Sequence, residues 1–262
     1  MMEFLKVTVL SVLQGVAEFL PISSSGHLAI GQELVGLETP DLRLEIFLHV
    51  GTLTSILIFY FATVWRIVRR FEWIYVCKIL VSALPAVVVY ALFHDAIESL
   101  FDNTRMVGAL LMFTGAVLVG TRYLPRGGRD ISFARALLMG VGQAVALLPG
   151  VSRSGLTLAS ARAGRVDPAK SAEFSFLMSA PLILGALLLQ TLKMTGVSDG
   201  AASVEDGGLG WGLLVYGAAL SAVVGYGALA FLVRALKGKW FWLFGPYCLT
   251  AGLLTLVFAR GA

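Results

Sequence analysis

Two stretches of this chain, residues 4–35 and 132–162, are apolar over the length of a membrane span, yet proline, glycine and serine break each near its middle. The first break reads Pro21-Ile-Ser-Ser-Ser-Gly26 and the second Pro149-Gly-Val-Ser-Arg-Ser-Gly155. Around them lie six uninterrupted apolar segments, 44–65, 74–93, 106–122, 171–194, 211–233 and 240–259, each near the roughly 20 residues a helix needs to cross hydrocarbon. Hydrophobic residues make up 58% of the chain and charged residues 14%, against roughly 25% charged in a soluble domain. A soluble enzyme, a disulfide scaffold and a nucleic-acid binder are thereby excluded. Non-helical backbone survives at membrane depth only where protein or a water-filled cavity satisfies its N–H and C=O groups. The broken stretches are therefore expected to be re-entrant helix–loop–helix hairpins lining a cavity. The fold class that follows is an all-α polytopic membrane protein, one integral domain over 1–262, with six transmembrane helices and two re-entrant hairpins.

The two breaks resemble each other. Gly15 to Pro21 aligns with Gln143 to Pro149, and after one inserted residue, Gly150, Ser23 to Gly26 aligns with Ser152 to Gly155. Three apolar segments follow each hairpin, so the second half is expected upside down relative to the first. That is an inverted repeat, 1–122 and 132–260. Fourteen of the twenty Lys and Arg fall around 66–78, 122–135, 162–170 and 234–239, all on one face under this plan, and the positive-inside rule makes that face cytoplasmic. The loops around 94–105 and 196–210, with Asp95, Glu98, Asp102, Asp199, Glu205 and Asp206, then lie outside, as do both chain ends. No cleavable signal peptide is expected, because Glu18 interrupts the first apolar stretch and no basic region precedes it. Cys77 and Cys248 read as small buried hydrophobes. Spacings such as Gly108, Gly115 and Gly120, or Gly217 and Gly225, permit close helix packing within the chain or in a homodimer.

Ionisable groups inside apolar spans mark function by default. The first hairpin carries Gln14, Glu18, Ser23, Ser24, Ser25 and His27, and the second Ser152, Arg153, Ser154 and Thr157. Gln14 and Glu18, four apart, share a helix face. The serines precede returning helices whose free N–H groups point into the gap, and with Arg153 they suit a phosphate. Glu18 would repel that phosphate unless a divalent cation, held by Glu18 with help from Gln14, bridged them. Carboxylate, arginine, hydroxyl and imidazole together fit phosphoryl hydrolysis: Ser24 attacks or orients phosphorus and His27 moves protons. The serines also serve as helix caps, and His49 and Glu45, at the start of the first full span, read first as structural and second as lining the external mouth.

On Gln14-Gly-Val-Ala-Glu18, the Pro-Ile-Ser-Ser-Ser-Gly-His27 that follows, and Pro149-Gly-Val-Ser-Arg-Ser-Gly155, the chain resembles the bacterial undecaprenyl-diphosphatase family of the bacitracin-resistance type over its whole length. That family's first signature is Glu or Gln, three residues, then Glu; its second is Pro-Gly-x-Ser-Arg-Ser. The resemblance implies removal of the terminal phosphate of undecaprenyl diphosphate, which yields the monophosphate carrier lipid of cell-wall synthesis with Mg²⁺ or Ca²⁺ assistance. It also implies a plasma-membrane enzyme whose site opens to the periplasmic or external side. Glutamine at position 14 removes one possible metal carboxylate. Ser-Gly-His27 also resembles the other lipid-phosphatase superfamily, but the second histidine that superfamily needs is Ala159 here, so it is set aside. An alternating-access transporter or flippase of a polyprenyl phosphate lipid is the alternative, since inverted repeats with broken helices are its usual plan; it has no use for a nucleophile beside an imidazole. A membrane scaffold would not need so many polar groups at two broken helices.

Overall fold

The computed structural model describes residues 2–34, 42–101, 103–125, 127–194 and 209–258, so Asp102, Arg126, Asp199, Glu205, Asp206 and Arg260 lie outside it. Within those residues it is all helix apart from turns. The helices are α1 (Met2–Ala17), α2 (Ser24–Leu34), α3 (Leu42–Phe59), α4 (Phe61–Arg70), α5 (Trp73–Phe101), α6 (Thr104–Gly120), α7 (Phe133–Val145), α8 (Arg153–Ala163), α9 (Pro168–Met194), α10 (Trp211–Gly238) and α11 (Phe244–Phe258). Five helices are long and apolar enough to cross a membrane, and a sixth span exists if α3 and α4 count as one. Both broken stretches form short helix pairs, α1–α2 and α7–α8, parted at the proline–serine breaks.

Three expectations need correction. The segment 44–65 is not one straight span: the chain bends by 72° between α3 and α4, and Tyr60 at the corner leaves helical geometry. Thr63 Oγ1 donates to Glu173 Oε2 on α9 across 2.9 Å, and Arg66, Arg69 and Arg70 line the short second helix. The sequence shows no Pro or Gly at the corner because a cross-helix polar contact and an exposed basic face direct the turn. The loop expected from residue 94 is helical to Phe101, so His94, Asp95 and Glu98 sit on α5, with a kink at Phe93. Of the cysteines, Cys248 is buried as expected but Cys77 is exposed.

The glycine spacings are used inside the chain. A Cβ on Gly115 would come 2.8 Å from the Gly245 carbonyl oxygen, and one on Gly252 would come 2.6 Å from that of Gly108. Along this seam α6, the last helix of the first half, lies backbone to backbone on α11, the last of the second. Likewise Gly15 lets α1 approach Ser221 of α10, and Gly140 lets α7 approach Ser82 of α5. Each broken pair is thus laid on the second long helix of the opposite half.

At one end of the bundle the basic stretches are bonded together. Arg135 Nε donates to the Gly164 carbonyl at 3.0 Å, and Arg162 donates to the carbonyls of Thr121 and Leu124. Arg122 stacks on the Trp242 ring, and the 129 and 166 backbones form a single parallel bridge. There, the Lys170 ammonium bonded to Asp130 holds that carboxyl below its usual range. With Lys78 over the Phe133 ring, the basic stretches around 78, 122–135, 162–170 and 239–242 therefore share one end.

Gly115→Ala is expected to destabilise the protein by about 1–3 kcal/mol, because the carbonyl it meets cannot yield. Gly227→Ala, where nothing lies within 4 Å, is expected to be neutral or slightly stabilising. Thermal unfolding of the two detergent-solubilised variants checks the contrast.

Candidate functional site

The two breaks meet. Ser154 Oγ donates to the Leu20 carbonyl at 3.2 Å, and Pro21 lies against Gly155. Each break is also tied to the long helix at the seam. Cys248 on α11 donates its thiol to the Pro21 carbonyl at 3.2 Å. Thr114 on α6 accepts from the Ser152 N–H at 3.1 Å and donates to the Gly150 carbonyl at 3.4 Å. These bonds occupy backbone groups that the breaks leave unpaired.

Local backbone geometry aims the side chains. Ser152 caps α8, its Oγ accepting from the Gly155 N–H at 3.1 Å, so Arg153 becomes the first helical residue, beside the free N–H groups. Gly150 reaches this cap through φ +87°, and its missing Cβ admits the Val107 carbonyl. In the first break the same job falls to Ser23, held at φ +71° although it is not glycine. A serine there costs on the order of 1 kcal/mol. His27 Nδ1 bonds the Ser23 carbonyl at 2.8 Å and so pins that turn. Paired hydroxyls recur in both breaks, Ser23 with Ser25 at 3.4 Å and Ser152 with Ser154 at 3.2 Å.

Arg153 and Glu18, 135 positions apart, form an ion pair through Nη2 and Oε1. Gln14 Nε2 donates to Glu18 Oε2 at 3.1 Å from one helical turn before, as their spacing requires, and the Glu18 side chain is 5% exposed. His49 Nε2 on α3 approaches the same Oε2 at 3.9 Å, while its Nδ1 bonds the Glu45 carbonyl. Beside this pair lies a cavity of about 290 Å³. Glu18, Ser24, Ser25, Ser152, Arg153 and Ser154 line its polar side, joined by Glu45, His49 and Gln143; Leu182, Ile183 and Leu187 line the other.

Of the residues picked from sequence, Glu18, Ser24, Ser25, Ser152, Arg153 and Ser154 are brought to the cavity and Gln14 backs Glu18. Three stand apart. Ser23 is buried in its turn. Thr157 is fully buried, bonding the Arg153 carbonyl at 2.8 Å and Ser175 at 2.6 Å, so it supports α8 from behind. His27 does not line the cavity: its Nε2 bonds Tyr247 Oη at 2.6 Å and its ring stacks on that tyrosine. His49 and Glu45, read as structural, reach the cavity instead, because the α3 face carrying them turns inward. Gln143 went unremarked, although a polar residue in an apolar run six before Pro149 is the kind of signal that singled out Gln14.

Among the described residues, no three of His, Cys, Asp and Glu gather as a metal-ligand group. The donors suited to a hard cation are Glu18 and Gln14 Oε1, a buried oxygen with no hydrogen-bond partner. That orphaned oxygen one turn from a carboxylate fits a divalent ion whose shell a ligand's oxygens complete.

A family model described as bacitracin resistance protein BacA matches residues 7–254. A relative from Desulforudis audaxviator named undecaprenyl-diphosphatase is 38% identical, the match covering 96% of each chain. Relatives of the same name from Desulfatibacillum aliphaticivorans and Halothermothrix orenii are each 35% identical over 98% of this chain and 99% of theirs.

Breaking the buried pair from one side leaves an uncompensated charge, so Arg153→Met is expected to destabilise by about 3–5 kcal/mol. The double variant Glu18→Gln with Arg153→Met is expected to recover most of that. Unfolding of the single and double variants in detergent checks it, and additive losses would show that the two side chains do not depend on each other.

Proposed function

The chain belongs to the bacitracin resistance protein BacA family, and from that membership and the cavity we propose that it is an undecaprenyl-diphosphate phosphatase acting within the membrane. It converts undecaprenyl diphosphate and water to undecaprenyl phosphate and inorganic phosphate. The observation that carries the assignment to this site is the Arg153–Glu18 pair, set between two helix starts in a cavity lined with hydroxyls.

The terminal phosphoryl group lies against Arg153 and the free N–H groups at the start of α8, where guanidinium and macrodipole offset its charge. Positioning and charge neutralisation supply most of the acceleration in phosphoryl transfer. The nucleophile is Ser24 Oγ or a water beside it. Its oxygen bonds phosphorus as the bond to the bridging oxygen breaks, and the electron pair leaves with undecaprenyl phosphate. If Ser24 attacks, a water then cleaves the phosphoserine. We assign the nucleophile's proton to His49, whose Nδ1 is held by the Glu45 carbonyl and whose Nε2 faces the cavity carboxylate. His27 we assign to holding the Ser23 turn, because both of its ring nitrogens are bonded elsewhere. Glu18 and Gln14 would hold Mg²⁺ or Ca²⁺, which supplies Lewis-acid neutralisation of phosphate oxygens. The first units of the lipid tail lie in an apolar cavity of about 650 Å³ between α5 and α7, whose Ala144, Val145 and Leu148 alternate with the polar cavity's Ala146 and Leu147.

The finer topology is part of the same proposal: six spans, two re-entrant hairpins and an inverted repeat dividing 1–122 from 132–260. What supports it is the repetition of contacts, α1 on α10 as α7 on α5, and Cys248 on the first break as Thr114 on the second. The basic end of the bundle faces the cytoplasm by the positive-inside rule, and the site opens to the external side of a bacterial plasma membrane.

Purified protein in detergent micelles, where no second compartment exists, is expected to release orthophosphate from undecaprenyl diphosphate and to lose that activity to a chelator. Glu18→Ala and Arg153→Ala are expected to lose most turnover even when assayed below their lowered melting temperatures, and His49→Asn to lose more than His27→Asn. Lipid movement across vesicles without phosphate release would favour the carrier alternative.

A further inference from the structure

Among the described residues, Gln143 is the one buried cavity-lining side chain with two polar atoms that both lack a hydrogen-bond partner. It stands on α7 two residues before the helix ends, is 2% exposed, and borders the cavity with Ser152, Arg153 and Ser154. Neither its Oε1 nor its Nε2 has a hydrogen-bond partner, which holds whichever way the amide is turned. Its neighbours are engaged elsewhere: Arg153 with Glu18, Ser152 with Gly155 and Ser154, and Ser154 with the Leu20 carbonyl. An amide buried with nothing to bond destabilises the fold that holds it, and an apolar residue of the same length would relieve the penalty. A group kept under that penalty on the wall of a polar cavity is placed for something that arrives from outside.

We infer that Gln143 is a substrate-contacting residue whose Nε2 donates to a non-bridging oxygen of the diphosphate, across the cavity from the Arg153–Glu18 pair. Its Oε1, which an anionic phosphate oxygen cannot satisfy, accepts from a water in the same pocket. The amide completes a ring of donors around the phosphoryl group: guanidinium, helix N–H groups and now a neutral N–H from α7. Being uncharged, it adds a donor without a second cation and so fixes the orientation of the headgroup while leaving the charge balance to Arg153. This inference rests on the phosphatase reading.

The test compares wild type with Gln143→Met, nearly isosteric and apolar, and Gln143→Glu, which keeps the shape but adds charge, all as full-length protein in detergent. Gln143→Met is expected to lose tenfold or more in kcat/KM for undecaprenyl diphosphate, as loss of a hydrogen bond to a charged group predicts, while its Tm stays level or rises. Gln143→Glu is expected to lose more, because its carboxylate repels the substrate. In a second readout, inorganic pyrophosphate is expected to raise the Tm of wild type and to raise that of Gln143→Met by less. Unchanged kcat/KM and an equal pyrophosphate shift in Gln143→Met would overturn the inference, and so would a lowered Tm, which would mean a structural amide. Wild-type protein that releases no phosphate yet is stabilised by pyrophosphate through Gln143 would sink the phosphatase reading and leave the contact standing.

Discussion

A backbone interrupted between packed helices has to find partners for its freed N–H and C=O groups, and this chain meets that demand partly by tying each break to the other. Ser154 reaches the Leu20 carbonyl across the junction, while Thr114 and Cys248 reach in from two helices that are themselves clasped along a glycine seam. Local caps alone do not complete the arrangement. The first break cannot be completed without α8 and α11, nor the second without α6. The polar atoms required to stabilise irregular backbone at this depth also give the cavity its chemistry: the same serines cap helices and present hydroxyls.

Charge follows the same logic. Glu18 and Arg153 would each be intolerable alone at this depth, and each is made tenable by the other. Because the pair borders a cavity, the proposed phosphate would compete with Glu18 for the guanidinium, and the proposed cation with Arg153 for the carboxylate. The ground-state pairing keeps both groups charged and aimed until then. Gln14 steadies the carboxylate from behind, and His49 approaches it from the side.

The sequence exposed most of this plan because its strongest signals are local. Pro21 and Pro149 mark the breaks, the serines mark helix starts, and the spacing of Gln14 and Glu18 puts them on one face. Apolar length located the helices to within a few residues, apart from the extension of α5 to Phe101. What was hidden depends on side chains meeting across the fold. The corner at Tyr60 carries no breaker residue and follows from contacts such as Thr63 with Glu173. His27 lies two residues past Ser25 in sequence, yet Tyr247, 220 positions away, takes its ring. His49 and Gln143 matter because α3 and α7 happen to turn those faces inward, and helical periodicity in an apolar segment does not say which side faces a cavity and which faces lipid.

The seam between α6 and α11 bears on how the protein is made. Every residue lining the polar cavity has been added once Leu187 is in place, but the helix that grips the first break, through Cys248, is synthesised only after it. Until α11 arrives, Gly108 and Gly115 of α6 present bare backbone to lipid and the Pro21 carbonyl goes unmet. A nascent chain that already holds every cavity-lining side chain therefore still lacks the helix that closes the seam and fixes the first break.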